Sequence, residues 1–437
     1  MKPGKRIVRA LLILLAIAVA LPLAVLAWQW RSDPDSELRG AAINTPAERE
    51  QQVARGAYLV RAGDCMACHT ARGGASLAGG RVIPTPFGDM VSPNITPDRK
   101  TGIGDWSADD FWRALHNGKG RDGRFLYPVF PYPNYTRISR ADSDAMYAWF
   151  QAMPPVSRPN APHALRFPYN QRLLLAGWRA LYFRPGGFEP VAGQSAEWNR
   201  GAWLVQGPGH CNACHTSRNA LGATDTGAAL AGGMIPIVNW YAPPLTSDAE
   251  SGIGNWTLAQ LEQWLKTGVS ERGAVFGPMS EVVRESLQHL SDSDIRAMSV
   301  YLKSLPQASA AEQDVVTEPA GSAAQALRQQ GAILYDKQCA SCHGAQGEGA
   351  GLAYPPLAGN RALTSASAIN PIRMVLHGGY APSTQGNPRP FGMPPFGPAM
   401  SDTEVAAVVS FMRGAWGNHA DAVLPGEVQK YRTVPLD

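Results

Sequence analysis

The stretch "GDCMACHTARGG", residues 63–74, sets Cys65 and Cys68 three residues apart with His69 directly after the second. Cysteines at this spacing serve a redox dithiol, one half of a zinc site or the attachment of a haem. The adjacent histidine favours the last. A haem has two vinyl groups, each able to form a thioether with one thiol. An imidazole fixed beside the second cysteine is then held under the iron as its proximal ligand.

The pattern recurs. "HCNACHTSRN" supplies Cys211, Cys214 and His215, and "QCASCHGAQG" supplies Cys339, Cys342 and His343. The chain has 6 cysteines, all of them consumed by these three motifs. A structural zinc site takes four ligands, so pairing two motifs would strand the third. A disulfide framework gives no reason for every cysteine to stand three residues from its partner. The residues therefore point to three covalently bound c-type haems.

A low-spin haem that carries electrons needs a sixth ligand, and a methionine there raises its potential. It belongs on the loop before the last helix of each haem unit. "GAVFGPMSEVV" places Met279 there, and "RPFGMPPFGPAMSD" offers Met393, with Met400 nearer the helix and more suited to the core. The first unit breaks the pattern. Aligning "RDGRFLYPVFPY" on "ERGAVFGPMSEV" puts Val129 or Phe130 where Met279 stands, and neither binds iron. Met146 and Met153 lie in and at the end of a terminal helix, and His116 corresponds to Lys266 and His377, so these are structural by position. Met90 is the remaining candidate, and the sixth ligand of the first haem stays unassigned.

The elements around the motifs repeat with them, and such internal repeats carry fold information. "ARGAYLVRAGDCMACHT", "NRGAWLVQGPGHCNACHT" and "RQQGAILYDKQCASCHG" each set an apolar helix pattern before a motif. "PNITPDRKTGIGDWSADDFWRALHNG" matches "PPLTSDAESGIGNWTLAQLEQWLKTG", and "YPPLAGNRALTSASAINPIRMVLHGG" is a shorter version. Terminal helices follow at "SRADSDAMYAWFQAMPP", "SDSDIRAMSVYLKSLP" and "SDTEVAAVVSFMRGAW", with Ser and Asp at their starts as N-terminal signals. The expected fold is all-α: three tandem cytochrome c-like domains at 51–155, 195–307 and 323–420, each completing its core with a haem. Residues 156–194 connect the first two and contain an amphipathic helix over 172–183. "QASAAEQDVVTEPAGSAA", from Gln307, has the composition of a linker.

Residues 1–30 have a separate role. Lys2, Lys5, Arg6 and Arg9 precede an uncharged run from Ala10 to Trp28. That length suits a membrane-spanning helix, with the basic residues staying inside and Trp28 and Trp30 at the far interface. Val25-Leu26-Ala27 also resembles a signal cleavage site. An anchor and a cleaved signal both export the chain, to the periplasmic face of a bacterial inner membrane. With 45% hydrophobic and 17% charged residues and a net charge of +4, the composition argues neither for nucleic acid nor for a strongly charged surface, and no nucleic-acid partner is expected.

Taken together, these motifs resemble the cytochrome c subunit of membrane-bound gluconate and alcohol dehydrogenases. "SAEWNRGAWLVQGPGHCNACHT", "WYAPPLTSD", "GIGNW", "GPMSEVV" and "NPRPFGMPPFGPAMSD" carry the resemblance, which covers nearly the whole chain after residue 30. It implies an electron-transfer role beside a catalytic dehydrogenase subunit. That subunit is a flavoprotein in the gluconate, sorbitol and fructose types or a quinoprotein in the alcohol type. Ubiquinone or a downstream cytochrome is the implied acceptor. Some members of the family have methionine at the Phe130 position; this chain does not. No Gly-rich dinucleotide fingerprint, nucleotide loop or Ser-His-Asp order points to substrate oxidation by the chain itself. Two rivals of other classes are a stand-alone multihaem enzyme, of peroxidase or thiosulfate-oxidising type, and a cytochrome subunit of a terminal oxidase.

Overall fold

The computed structural model describes residues 45–236, 238–308 and 321–434, with positions 12–13, 20, 24–25 and 27–29 of the N-terminal stretch. Most of the expected anchor or signal segment, and most of the linker after Gln307, lie outside the described residues. Among the described residues no helix is long and apolar enough to cross a membrane.

The chain folds as two compact units. One comprises residues 69–189 with the chain up to residue 59, and the other residues 190–437 with residues 60–68. The repeats read at 195–307 and 323–420 therefore lie in one unit.

In chain order, α1 (Pro46–Ala62) leads into α2 (Cys65–His69), then α3 (Ala108–Asn117), α4 (Arg140–Ala152) and α5 (Leu175–Tyr182). The second repeat contains α6 (Ala196–Gln206), α7 (Asn212–His215), α8 (Leu258–Thr267), α9 (Pro278–Glu285) and α10 (Asp292–Lys303). The third contains α11 (Ser322–Gln338), α12 (Ala340–His343), α13 (Ile369–His377) and α14 (Asp402–Gly414), and α15 (Pro425–Arg432) follows it. The terminal helices start where the sequence signals them. The side chains of Ser139, Ser291 and Ser401 accept the backbone N–H of Asp142, Asp294 and Glu404, satisfying donors that a helix start leaves open.

One crossing defines all three repeats. A Cβ built on Gly56 would overlap the carbonyl oxygen of Ala145. The same holds for Gly201 against Ala297 and for Gly331 against Ala407. The glycine in "RGAYLV", "RGAWLV" and "QGAILY" thus lets the first helix of each repeat touch the backbone of the last. In the first two repeats the preceding arginine adds an ion pair. Arg55 Nε donates to Asp142 at 2.7 Å, and Arg200 meets both oxygens of Asp294 at 2.8 and 2.7 Å. Because the obstacle is backbone, Gly201→Val is expected to cost about 3 kcal/mol, the upper part of the usual overpacking range. Calorimetry should show a lower Tm for the second unit, and an unchanged Tm would contradict the crossing.

The all-α expectation is corrected. The fold is helical with small antiparallel sheets. β1 (Val82–Ile83), β2 (Gly88–Val91) and β3 (Ala164–Leu165) form a three-stranded sheet. Three two-stranded ladders follow: β4 (Gly233–Ile235) with β5 (Trp240–Ala242), β6 (Val269–Ser270) with β7 (Gly273–Ala274), and β8 (Gly379–Tyr380) with β9 (Gly392–Met393). Strand alternation becomes legible over four to eight residues, whereas most of these ladders are shorter. They arise where loops fold back on themselves.

In the 156–194 stretch the expected helix begins as a 3₁₀ turn at Arg172–Leu174 and continues as α5. It is fixed to its own unit by Arg179, whose buried guanidinium lies 4.9 Å from the Phe125 ring and 4.8 Å from that of Phe183. Leu173, Leu174 and Leu181 are exposed.

Candidate haem-binding sites

Each C-x-x-C-H motif folds as a single helical turn that turns the histidine inward. The backbone N–H of His215 donates to Cys211 at 2.9 Å, and that of His343 to Cys339 at 3.0 Å. The three imidazoles then share one support. Nδ1 of His69, His215 and His343 lies 2.8, 2.7 and 2.9 Å from the carbonyl oxygens of Pro93, Pro243 and Pro355. A carbonyl only accepts, so Nδ1 carries the proton and the Nε2 lone pair would be the one to bind a metal. This is the usual way a ligand histidine is oriented. Burial pushes all three histidines toward the neutral form, His215 down to about 4. The prolines lie in "SPNIT", "APPLT" and "YPPLA". That recurrence was visible as a repeat, but its use as a carbonyl acceptor was not.

The thiols do not suit redox dithiol chemistry. None of the cysteines forms a disulfide. Burial raises Cys65 and Cys211 to about 12 and Cys339 to about 11. A redox dithiol needs a thiol lowered toward neutrality. Among the described residues no group of three or more Cys, His, Asp and Glu is placed to hold a metal ion.

Within the second unit the structure brings two donor sets together. One cavity of about 310 Å³ is lined by Cys211, Cys214, His215 and Met279 and also by Cys339, Cys342, His343 and Met393. Met279 enters from the start of α9 and Met393 from β9, each beside a proline or glycine that stiffens the chain. Met400 does not line the cavity. It is buried among the helices of the third repeat with Val405 and Val409. Apolar walls come from Trp240, Trp256, Trp264 and Phe276. Two thiols, an imidazole with Nε2 presented and a thioether in one apolar cavity match what a covalent haem requires.

The first motif lacks the fourth donor at the aligned place. Val129 is 38% exposed, and Phe130 packs its ring 5.4 Å from that of Tyr135. Met90 is buried on β2 opposite Ile83, Met146 is buried in α4, and His116 stacks on Trp112 at 4.2 Å.

A family profile for cytochrome c matches residues 53–154 and 329–416. The gluconate 2-dehydrogenase cytochrome c subunit of Pantoea cypripedii is 41% identical over 401 residues, 88% of this chain and 90% of the relative. The cytochrome c subunit of the quinone alcohol dehydrogenase of Gluconobacter oxydans is 40% identical over 410 residues, 90% of this chain and 84% of the relative. The chain belongs to this family of dehydrogenase cytochrome c subunits. As a c-type cytochrome it carries covalently bound haem c, which explains both the shared histidine support and the donor sets that open into one apolar cavity. The cytochrome unit also occurs inside longer chains. One of the subunits of the nicotinate dehydrogenase of Pseudomonas putida is 42% identical over 367 residues, 82% of this chain but 30% of the relative.

Proposed function

We propose that the chain is a three-haem electron carrier serving a separate catalytic dehydrogenase subunit. Cys65 and Cys68, Cys211 and Cys214, and Cys339 and Cys342 hold the haems, with His69, His215 and His343 as proximal ligands. Met279 and Met393 are the distal ligands of the second and third. The catalytic partner is a flavoprotein or a quinoprotein, and ubiquinone or a downstream cytochrome accepts the electrons. The basic and apolar residues 1–30 export the chain to the periplasmic face of the inner membrane, where c-type haems are attached.

The observation that carries this reading is the single cavity shared by the second and third donor sets. Bound there, haem supplies reversible one-electron chemistry. The residues supply the rest: histidines held in one tautomer, thioethers that favour the reduced metal, and tryptophan walls that exclude water. Both donor sets line the same cavity, which suits electron transfer between the haems they would hold.

Two measurements test the proposal. Intact mass of the mature protein should show three haem additions, and two or fewer after full maturation would refute the count. The isolated chain should stay oxidised with gluconate, ethanol or nicotinate and become reduced only when its catalytic subunit is added. Reduction by substrate without that subunit would favour the stand-alone enzyme.

A further inference from the structure

Two arginines line the shared cavity of the second unit without a carboxylate partner among the described residues. Arg361, from the third repeat, is only 6% exposed and lies 4.6 Å from the ring of Trp264 and 5.2 Å from that of Trp256. Its side chain makes one hydrogen bond among the described residues, from Nη1 to the carbonyl of Pro244 at 3.2 Å. Arg272, at the turn between β6 and β7 of the second repeat, lines the same cavity, and its buried Nε has no hydrogen-bond partner among the described residues. The segments that carry them meet: the Cβ position of Gly273, next to Arg272, lies 3.2 Å from Nδ2 of Asn360, next to Arg361. Neither joins an ion pair among the described residues.

That is costly for a buried cation, which ordinarily is paired or surrounded by acceptors. Arg413 of the same unit shows the ordinary solution, with carbonyls of Asp421, Leu363, Ser365 and Ala366 around it. Burial pulls Arg361 down to about 10, which still leaves it charged at neutral pH. Pro244, whose carbonyl it meets, follows Pro243, whose carbonyl holds Nδ1 of His215 at 2.7 Å. The corner is thus cationic, rigid through the tryptophan faces, and adjacent to the proximal side of the second haem site. A haem has two carboxylates on one edge, and a guanidinium fork binds a carboxylate through paired N–H groups.

We propose that Arg272 and Arg361 form the anchor for the carboxylates of the haem held by Cys211 and Cys214. A residue of the third repeat thereby sets the potential of the haem carried by the second. This rests on the haem assignment above. The direction follows from charge: reduction adds an electron, a neighbouring cation favours it, and removing the cation favours the oxidised state.

The test is a redox titration of the full chain with its haems attached, in Arg361→Gln, Arg272→Gln, the double variant and Arg361→Lys. Each lost charge should shift the oxidised-to-reduced equilibrium of one haem about tenfold, a fall of about 59 mV for a one-electron couple. The affected haem should be the one that loses its methionine signal in Met279→Ala. Arg361→Lys, which keeps the charge and loses the planar stack, should retain most of the potential. A purely structural arginine would instead lower Tm in both Arg361 variants and leave every potential in place. Three attached haems with potentials unchanged in the double variant would overturn the proposal, as would a shift confined to another haem. If Arg361→Gln fails to mature, Arg272→Gln and Arg361→Lys decide between the same outcomes. A wild-type chain that attaches no haem would instead overturn the electron-carrier reading.

Discussion

Replacing Cys339 and Cys342 together by serine is expected to remove one haem and leave two attached. The loss should not stop at the pigment. The third donor set shares its cavity of about 310 Å³ with the second, so an unfilled half exposes the walls of both repeats. At about 24 cal/mol per Å³ of cavity, this amounts to roughly 4 kcal/mol, a large part of the stability of a typical domain. The second unit should melt earlier, and its remaining haem should become more accessible to exogenous ligands. The haem attached at Cys65 and Cys68 should remain. Intact mass gives the haem count and calorimetry the stability. Loss of all three haems, or loss of none, would contradict independent attachment at each motif.

Met279→Ala and Met393→Ala should each lower the potential of one haem. The expected fall is on the order of 0.2 V, within the span of about 0.8 V that axial ligands command. A thioether favours reduced iron, and alanine leaves the position to water or to nothing. Each variant should also abolish one methionine–iron charge-transfer signal in the oxidised spectrum. The wild type should show two such signals and not three, because Val129 and Phe130 stand where the first repeat would place methionine. The first haem should therefore be high-spin or take a ligand from elsewhere, and if its sixth position is open, cyanide should bind one haem in three without denaturation. Three methionine signals in the wild type would refute this, with Met90, Met146 and Met153 the substitutions to make next.

That the chain is a c-type cytochrome was legible in the sequence because the motif is local. Two thioethers and one proximal imidazole need only five consecutive residues, so spacing and residue type suffice to propose Cys65–His69, Cys211–His215 and Cys339–His343. The terminal helices were legible for the same reason, since Ser139, Ser291 and Ser401 cap their helices from adjacent positions. The glycines of the repeated "RGA" and "QGA" segments could be seen, but not their purpose, because the carbonyls they admit belong to Ala145, Ala297 and Ala407 at the far end of each repeat. The sheets escaped notice because two-residue ladders such as β8–β9 carry no periodicity, so an all-α fold was expected where strands in fact hold Met393 in place. The remaining features depend on contacts across long separations, about which spacing is silent. Only the folded chain brings Pro243 to His215, joins the second and third donor sets in one cavity, and lays Arg361 against Trp256 and Trp264 of the preceding repeat. Burial of those groups away from water, and not their order along the chain, decides their charge and their partners.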